Sequence, residues 1–125
     1  MVKNPDISII IVNYNVKDFL RACLQSIREA TGNLSIETIV VDNNSVDGSV
    51  DYLRPQFPEV EFIALPENIG FARANNIGIE KARGRYLLIL NPDTLLRNDT
   101  LQVMHDFMET HTDCGIAGCK VLNPD

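Results

Sequence analysis

The sequence predicts an α/β protein with a Rossmann-like, doubly wound and mostly parallel sheet. Short uncharged runs rich in aliphatic residues alternate with stretches whose apolar residues recur at helical spacing. The chain has 125 residues, of which 45% are hydrophobic and 22% are charged, as expected for one globular domain. We therefore expect strands joined by right-handed helical crossovers in a single domain over residues 1–125.

The first strand is predicted at residues 7–12, an almost entirely β-branched run that ends at Asn13-Tyr14-Asn15. A helix is predicted from about residue 16 to 30, because apolar residues repeat there at helical spacing: Phe19, Leu20, Cys23, Leu24 and Ile27. Asn15 is the predicted N-cap of this helix, and Gly32 is predicted to end it.

The second strand is predicted at residues 36–41 and ends in Asp42-Asn43-Asn44-Ser45. A short helix carrying Val50 and Leu53 should follow, with Ser45 or Asp47 as its cap. Two prolines then close the helix: Pro55 and Pro58.

The third strand is predicted at residues 60–64, and residues 65–68 follow as a loop. The next helix ends at Gly84 and is marked by apolar and small residues at helical spacing: Phe71, Ala74, Gly78 and Ala82. It carries Asn75 and Asn76 in its middle, where asparagine is disfavoured unless its side chain has a role.

The fourth strand is predicted at Tyr86–Leu90, an uncharged run that leads directly into Asn91-Pro92-Asp93. Such a run predicts a strand buried on both faces, and Pro92 should end it. A helix capped near Asn98 or Asp99 should follow, carrying Leu101, Met104, Phe107 and Met108, and then a fifth strand over residues 115–121.

Three clusters of Asn and Asp follow the first, second and fourth strands, which are neighbours in the predicted order 3-2-1-4. Their carboxyl ends should meet at the topological switch point, which indicates a nucleotide site. Asp93 is a natural ligand there for a hard divalent cation. The alternative for Asn91-Pro92-Asp93 alone is a turn whose side chains only bond local backbone.

Several classes of function are disfavoured by the sequence. The net charge of −6, without a Lys/Arg cluster, argues against nucleic-acid binding. There is no P-loop and no G-x-G-x-x-G after the first strand, and His105 and His111 lie away from the predicted strand ends. Three cysteines without a disulfide framework or zinc-site spacing indicate a reducing compartment. With neither a signal peptide nor a run long enough to span a bilayer, we expect a soluble, cytoplasmic domain.

Four segments of the chain resemble family 2 glycosyltransferases, most closely the bacterial rhamnosyltransferase-like branch. They are Ile7–Asn15 (ISIIIVNYN), Ile39–Ser49 (IVVDNNSVDGS), Asn68–Gly78 (NIGFARANNIG) and Gly84–Thr94 (GRYLLILNPDT). The resemblance implies a GT-A fold, a nucleotide-diphosphate sugar donor (with rhamnose as a candidate sugar), Mg²⁺ or Mn²⁺, and inverting transfer to a glycan or lipid-linked acceptor in polysaccharide biosynthesis. It also implies that the full-length protein could work at the inner face of the membrane.

The resemblance also implies roles for individual positions. Asn13, Tyr14 and Asn15 would line the nucleoside pocket, and Asp42 and Asn43 would address the base and ribose. Asn68, Gly70 and Asn75 would shape the loop and helix over the nucleotide, while Asn91 and Asp93 occupy the ends of the family's D-x-D motif. Asp93 would ligate the metal. Asn43 stands where an acidic residue is common in the family, which leaves uracil and thymine as alternatives for the base of the donor. Asn91 stands where the motif has its first Asp, which lowers the negative charge available to a metal.

The family's acceptor-binding half and its catalytic base follow the D-x-D motif, so we expect this chain to be the donor-binding portion of a longer enzyme and to carry no catalytic residue. Two alternatives remain. One is a non-catalytic nucleotide-sugar-binding module. The other is a phospho-acceptor signalling domain, which has a similar length and sheet but needs an acidic pair after the first strand, where this chain has Asn13-Tyr14-Asn15.

Overall fold

The computed structural model describes residues 4–118, 120 and 122, and over these residues it contains one parallel sheet. Its strands are β1 (Ile7–Asn13), β2 (Ile36–Asp42), β3 (Val60–Ala64) and β4 (Tyr86–Leu90). They are ordered β3-β2-β1-β4, and every neighbouring pair is parallel. The predicted fold class, strand order and four strands are therefore confirmed.

The four helices lie at the predicted places: α1 (Lys17–Ala30), α2 (Ser49–Leu53) and α3 (Phe71–Lys81) connect the strands, and α4 (Thr100–Thr110) follows β4. The predicted caps are less accurate. Asn15 does not cap α1, because its backbone is left-handed with φ of 55° and Val16 takes the N-cap position. Gly48 precedes α2, although the carboxylate of Asp47 still accepts a hydrogen bond from Ser49 N.

The core has two parts, one on each face of the sheet, because successive residues of β1 point to opposite sides. Ile9 and Ile11 pack with the buried face of α1, and Ile10 and Val12 pack with Ala74 of α3. A Cβ atom at Gly78 would lie 2.6 Å from Ile10 Cγ2, so a glycine is needed for α3 to lie this close to the sheet. The two clusters bury β1 on both faces in the centre of the sheet.

The prediction that β4 is buried on both faces is wrong. Leu88 and Leu90 face the α1 side, where Leu90 is buried, but Leu87 and Ile89 are 49% and 45% exposed. In the sheet register Ile89 lies beside Ile10, whose face is covered by α3. That cover does not extend to β4, which pairs only with β1 among the described residues. One edge and one apolar face of β4 are therefore open.

The predicted fifth strand does not form over residues 115–118, the first part of its predicted range. Ile116 is 93% exposed, and a strand needs a paired neighbour that this segment does not have among the described residues. Cys119 and Val121 lie outside the described residues. None of the helices in the described part of the chain is both long and apolar enough to cross a bilayer.

Candidate functional site

The topology brings three of the predicted polar segments to the carboxyl edge of the sheet. Asn13 and Asp42, the last residues of β1 and β2, are register partners. Asn91-Pro92-Asp93 directly follows β4 on the other side of β1. This is the edge where open α/β sheets bind ligands, so it is the candidate site.

Asn13, Asp42 and Ser45 form a hydrogen-bonded cluster at this edge, which we call the edge network. Asn13 Nδ2 donates to Asp42 Oδ1 at 2.8 Å and to Ser45 Oγ at 3.3 Å. Ser45 donates to Asp42 through both its backbone N, at 2.8 Å to Oδ2, and its hydroxyl, at 2.7 Å to Oδ1. Asn13 and Asp42 are 0% and 3% exposed. The Asp42 carboxylate is thus held by protein groups, and its first role is to fix the ends of β1 and β2.

The loops after β1 and β2 are also tied to each other. Asn15 N donates to Ser45 Oγ at 2.9 Å, and Val46 N donates to Asn15 Oδ1 at 2.8 Å. Lys17 N donates to Asp47 Oδ2 at 3.1 Å. Burial would raise the pKa of Asp47, but hydrogen bonds from Ser49 and Lys17 outweigh it and leave that pKa below its ordinary value. Asp47 therefore stays ionised at neutral pH and secures the first turn of α1.

Asn43, Asn68 and Gly70 come together where the loop after β3 enters α3. The side chain of Asn43 accepts from Ile69 N at 3.1 Å and donates to Gly70 O at 3.2 Å. Asn68 Oδ1 accepts from Gly70 N at 2.9 Å. Gly70 has φ of 89°, a backbone conformation that residues other than glycine rarely adopt. These residues determine where α3 begins.

Two asparagine side chains at the site carry a buried oxygen without a hydrogen-bond partner among the described residues. They are Asn13 Oδ1 and Asn75 Oδ1. Asn75 is 7% exposed, although it lies in the second turn of α3. Buried polar atoms are normally paired, so both residues are candidates for a change of contacts when a ligand binds.

The side chains open to a ligand are different ones. Tyr14 is 49% exposed, and Asn91 and Asp93 are also exposed. Arg73 was not among the predicted site residues; it is an exposed cation in the first turn of α3 that forms no ion pair within the described part of the chain. Positive charge is unfavourable at a helix amino terminus unless an anion lies nearby, and that signal was present in the sequence.

Helix α1 supports the segment that carries Asn91 and Asp93. Cys23 Sγ donates a long hydrogen bond to Asn91 O at 3.9 Å. Ser26 Oγ accepts from Leu96 N at 3.1 Å while it donates to Cys23 O at 2.7 Å. Burial, together with the negative charge of Asp93, raises the pKa of the Cys23 thiol to about 12. Cys23 is thus a neutral packing residue beneath the segment.

The donor set for a metal at this edge is small. In residues 4–118, 120 and 122, no group of three or more His, Cys, Asp and Glu side chains converges to hold an ion. Asp93 supplies one carboxylate and Asn91 one amide, both exposed after β4. Mg²⁺ commonly takes one or two carboxylates and completes its shell with substrate phosphates and water, so this set fits an ion that arrives with a phosphorylated ligand.

Comparison with known proteins identifies relatives over nearly the whole chain. The family model described as glycosyl transferase family 2 matches residues 8–123. An uncharacterized glycosyltransferase of Haemophilus influenzae is 35% identical over 108 residues, covering 83% of this chain and 42% of that protein. A putative teichuronic acid biosynthesis glycosyltransferase of Bacillus subtilis, TuaG, is 32% identical over the same shares of the two chains.

Solved structures have the same fold. S. aureus TarS in complex with UDP-GlcNAc matches with a TM-score of 0.77 at 21% identity, over 86% of this chain and 32% of that chain. The mannosyltransferase PcManGT from Pyrobaculum calidifontis, in complex with GDP-Man and Mn²⁺, matches with a TM-score of 0.70 at 27% identity, over 79% of this chain and 31% of that one. The chain spans less than half the length of each of these four proteins.

Proposed function

Because the chain belongs to glycosyl transferase family 2, we propose that it is the donor-binding portion of an enzyme that transfers a sugar, with inversion, from a nucleotide-diphosphate sugar to an acceptor hydroxyl. Its sheet order matches that of GT-A glycosyltransferases. The observation that carries the proposal is the meeting of Asn13, Asp42 and the Asn91–Asp93 segment at one carboxyl edge.

We propose that the nucleoside lies against Tyr14 and the edge network, and that the diphosphate lies between α3 and Asp93. Tyr14 offers an exposed aromatic ring beside the buried Asn13. The backbone N–H groups of the first turn of α3 have no side-chain cap, and Arg73 projects from that turn. A helix amino terminus and an unpaired guanidinium both favour an anion. This arrangement lets an acidic protein bind an acidic ligand.

Asp93 is the proposed ligand for Mg²⁺ or Mn²⁺, with Asn91 as a neutral neighbour. PcManGT was solved with Mn²⁺ and a nucleotide sugar, which supports a metal in a relative of this chain. When bound, such an ion would neutralise charge that develops on the departing diphosphate. The residues of this chain bind and orient the donor, and Cys23 and Ser26 hold the Asn91–Leu96 segment in place.

We propose that the acceptor site and the catalytic base belong to a longer protein. A base must come within hydrogen-bond reach of the acceptor hydroxyl. Asp106 accepts from Gln102, while Glu109 pairs with Arg85 at 3.3 Å, just before the amino end of β4 and so opposite the candidate site. The open face of β4 at Leu87 and Ile89 supports further chain packing there.

The finer assignments are proposals of the same kind. The rhamnosyltransferase-like branch, and with it rhamnose as a candidate sugar, is supported by the four sequence segments given above. A glycan or lipid-linked acceptor is supported by relatives named for teichuronic acid and teichoic acid biosynthesis, and a cytoplasmic location at the inner face of the membrane is proposed from the same family resemblance.

A thermal-shift screen of nucleotide-diphosphate sugars, with and without Mn²⁺, tests the proposal. We expect at least one nucleotide sugar to raise the unfolding temperature of the chain, and Mn²⁺ to increase the shift. Asp93→Ala should remove the Mn²⁺-dependent part without lowering the unfolding temperature of the free protein, because Asp93 is exposed. The matched control is Asp113→Ala, which removes another exposed carboxylate, in the turn after α4.

Two results would contradict parts of the proposal. An unchanged Mn²⁺ dependence in Asp93→Ala would remove Asp93 from the metal site. Sugar transfer by the 125-residue chain, detected with candidate acceptors by mass spectrometry, would show that the base lies within this chain.

A further inference from the structure

Asn43 lies at the junction of three elements. Its backbone N donates to Asn13 O at 2.9 Å, which ties the end of β2 to the end of β1. Its side chain reaches the opposite way, to Ile69 N and Gly70 O at the start of α3. The residue is 3% exposed. One buried side chain therefore connects the centre of the sheet to the first turn of α3.

Both functional groups of this amide already have partners. The carbonyl oxygen accepts from Ile69 N and the amide nitrogen donates to Gly70 O, and because the residue is 3% exposed, little of its remaining hydrogen-bonding capacity is open to a ligand. Turning the side chain toward a ligand would leave Ile69 N and Gly70 O without this partner, and leaving a buried group unpaired costs more than an average hydrogen bond contributes. The exposed Tyr14 has no such constraint. The geometry thus favours an internal role for Asn43.

We propose that Asn43 is a positioning residue, which holds the amino-terminal turn of α3 over the donor site and does not itself read the base. The inference rests on the proposed function, because it gives Asn43 a role in that same site. It assigns base recognition to other groups. The contribution of Asn43 to donor binding is then the same for every base.

An amide is the group that this position requires. A carboxylate could accept from Ile69 N, but it could not donate to Gly70 O. Its negative charge would also lie about 3.2 Å from that carbonyl oxygen, at the distance that now separates Asn43 Nδ2 from Gly70 O. Gly70 O is also the acceptor for Ala74 N, the first helical hydrogen bond of α3. A shift of Gly70 would therefore move the uncapped N–H groups and Arg73 together. These are the groups proposed to face the diphosphate.

Asn43→Ala, measured against UDP, dTDP and GDP with Mn²⁺ by calorimetric titration, tests the proposal. We expect the affinity for all the nucleotides that the wild type binds to fall by one common factor of about two to ten, as if the displaced turn of α3 lost about one ordinary hydrogen bond to the diphosphate. Hydrogen exchange at the Ile69 amide, followed by NMR without nucleotide, should become faster by a similar factor. Asn33→Ala, an exposed asparagine in the turn before β2, is the matched control and should change neither quantity.

The outcomes are separable. A loss confined to one base, with Ile69 exchange unchanged, would overturn the inference and make Asn43 a base-reading residue. Faster exchange at Ile69 with unchanged affinities would also overturn it, because the role would then be structural only. A wild-type chain that binds none of the nucleotides would overturn the proposed function itself, and the positioning role with it.

Discussion

Replacing Asp42 with Asn tests whether the edge network holds the candidate site together. The substitution keeps the shape of the side chain but leaves one acceptor oxygen where there were two. Asp42 Oδ1 accepts from Asn13 and from the Ser45 hydroxyl, and Oδ2 accepts from Ser45 N. In either orientation, the new NH₂ group faces at least one donor, so at least one hydrogen bond to a buried carboxylate is lost.

The size of the effect follows from that count. One hydrogen bond to a charged group contributes about 1.5–3 kcal/mol, so we expect Asp42→Asn to lower the free energy of unfolding by about 2 kcal/mol. At about 2.1 cal/mol/K per residue, unfolding of this 125-residue chain has an entropy of about 0.26 kcal/mol/K. The midpoint of thermal unfolding should therefore fall by about 8 °C.

Circular dichroism during heating measures the midpoint, and Asp51→Asn is the matched control because Asp51 is exposed on α2. The control should stay within about 2 °C of the wild type, since exposed substitutions usually change stability by under about 0.5 kcal/mol. A midpoint for Asp42→Asn as high as that of the control would refute the reasoning. Loss of nucleotide affinity at an unchanged midpoint would instead make Asp42 a direct ligand-binding residue.

Two further predictions concern packing and pH. A Cβ atom at Gly84 would lie 2.5 Å from Ser8 N, so Gly84→Ala should lower the free energy of unfolding by about 1–3 kcal/mol, as measured by urea unfolding. The control is Gly118→Ala, which should be neutral because a Cβ atom there has nothing within 4 Å. Equal urea midpoints for the two variants would contradict the prediction. Burial raises the pKa of the Cys23 thiol from 9.0 to about 12, so above pH 9 this thiol ionises in the unfolded chain but stays protonated in the folded one. The wild type should then lose stability between pH 9 and 12 more steeply than Cys23→Ala, and parallel curves from unfolding titrations would contradict this.

The strand order and the four strand positions could be predicted because they depend on local signals and on the handedness of crossovers. The burial of β4 could not be predicted, since an apolar run looks the same whether one or two layers cover it. Leu87 and Ile89 are exposed because α3 packs on β1 and β2, where it contacts Ile10 and Val41, and its cover does not reach β4. Whether a helix covers β4 depends on how the helices are placed on the whole sheet, and the residues of β4 alone do not determine it.

The place of the site could be predicted, but the use of each side chain could not. Asn43 is a polar residue at the end of a strand, as expected of a side chain that contacts a ligand, yet both of its polar groups bond to the backbone of Ile69 and Gly70. Such a difference depends on distances between loops far apart in the sequence. The Asp42–Ser45 contact is local, and Asp side chains commonly accept from backbone N–H groups close by in turns, so that part depends on neighbouring residues alone.

The central place of β1 has a consequence for synthesis of the protein. β1 leaves the ribosome before the other strands of the sheet, but one of its two neighbours, β4, begins only at Tyr86. Leu101 of α4 is 0% exposed in the same core cluster as Leu20 and Leu24 of α1. Until translation has passed Leu101, the nascent chain carries a β1 edge and an α1 face without their native partners. We therefore expect this domain to fold only after α4 has emerged from the ribosome, with its unpartnered apolar surfaces prone to aggregation until then.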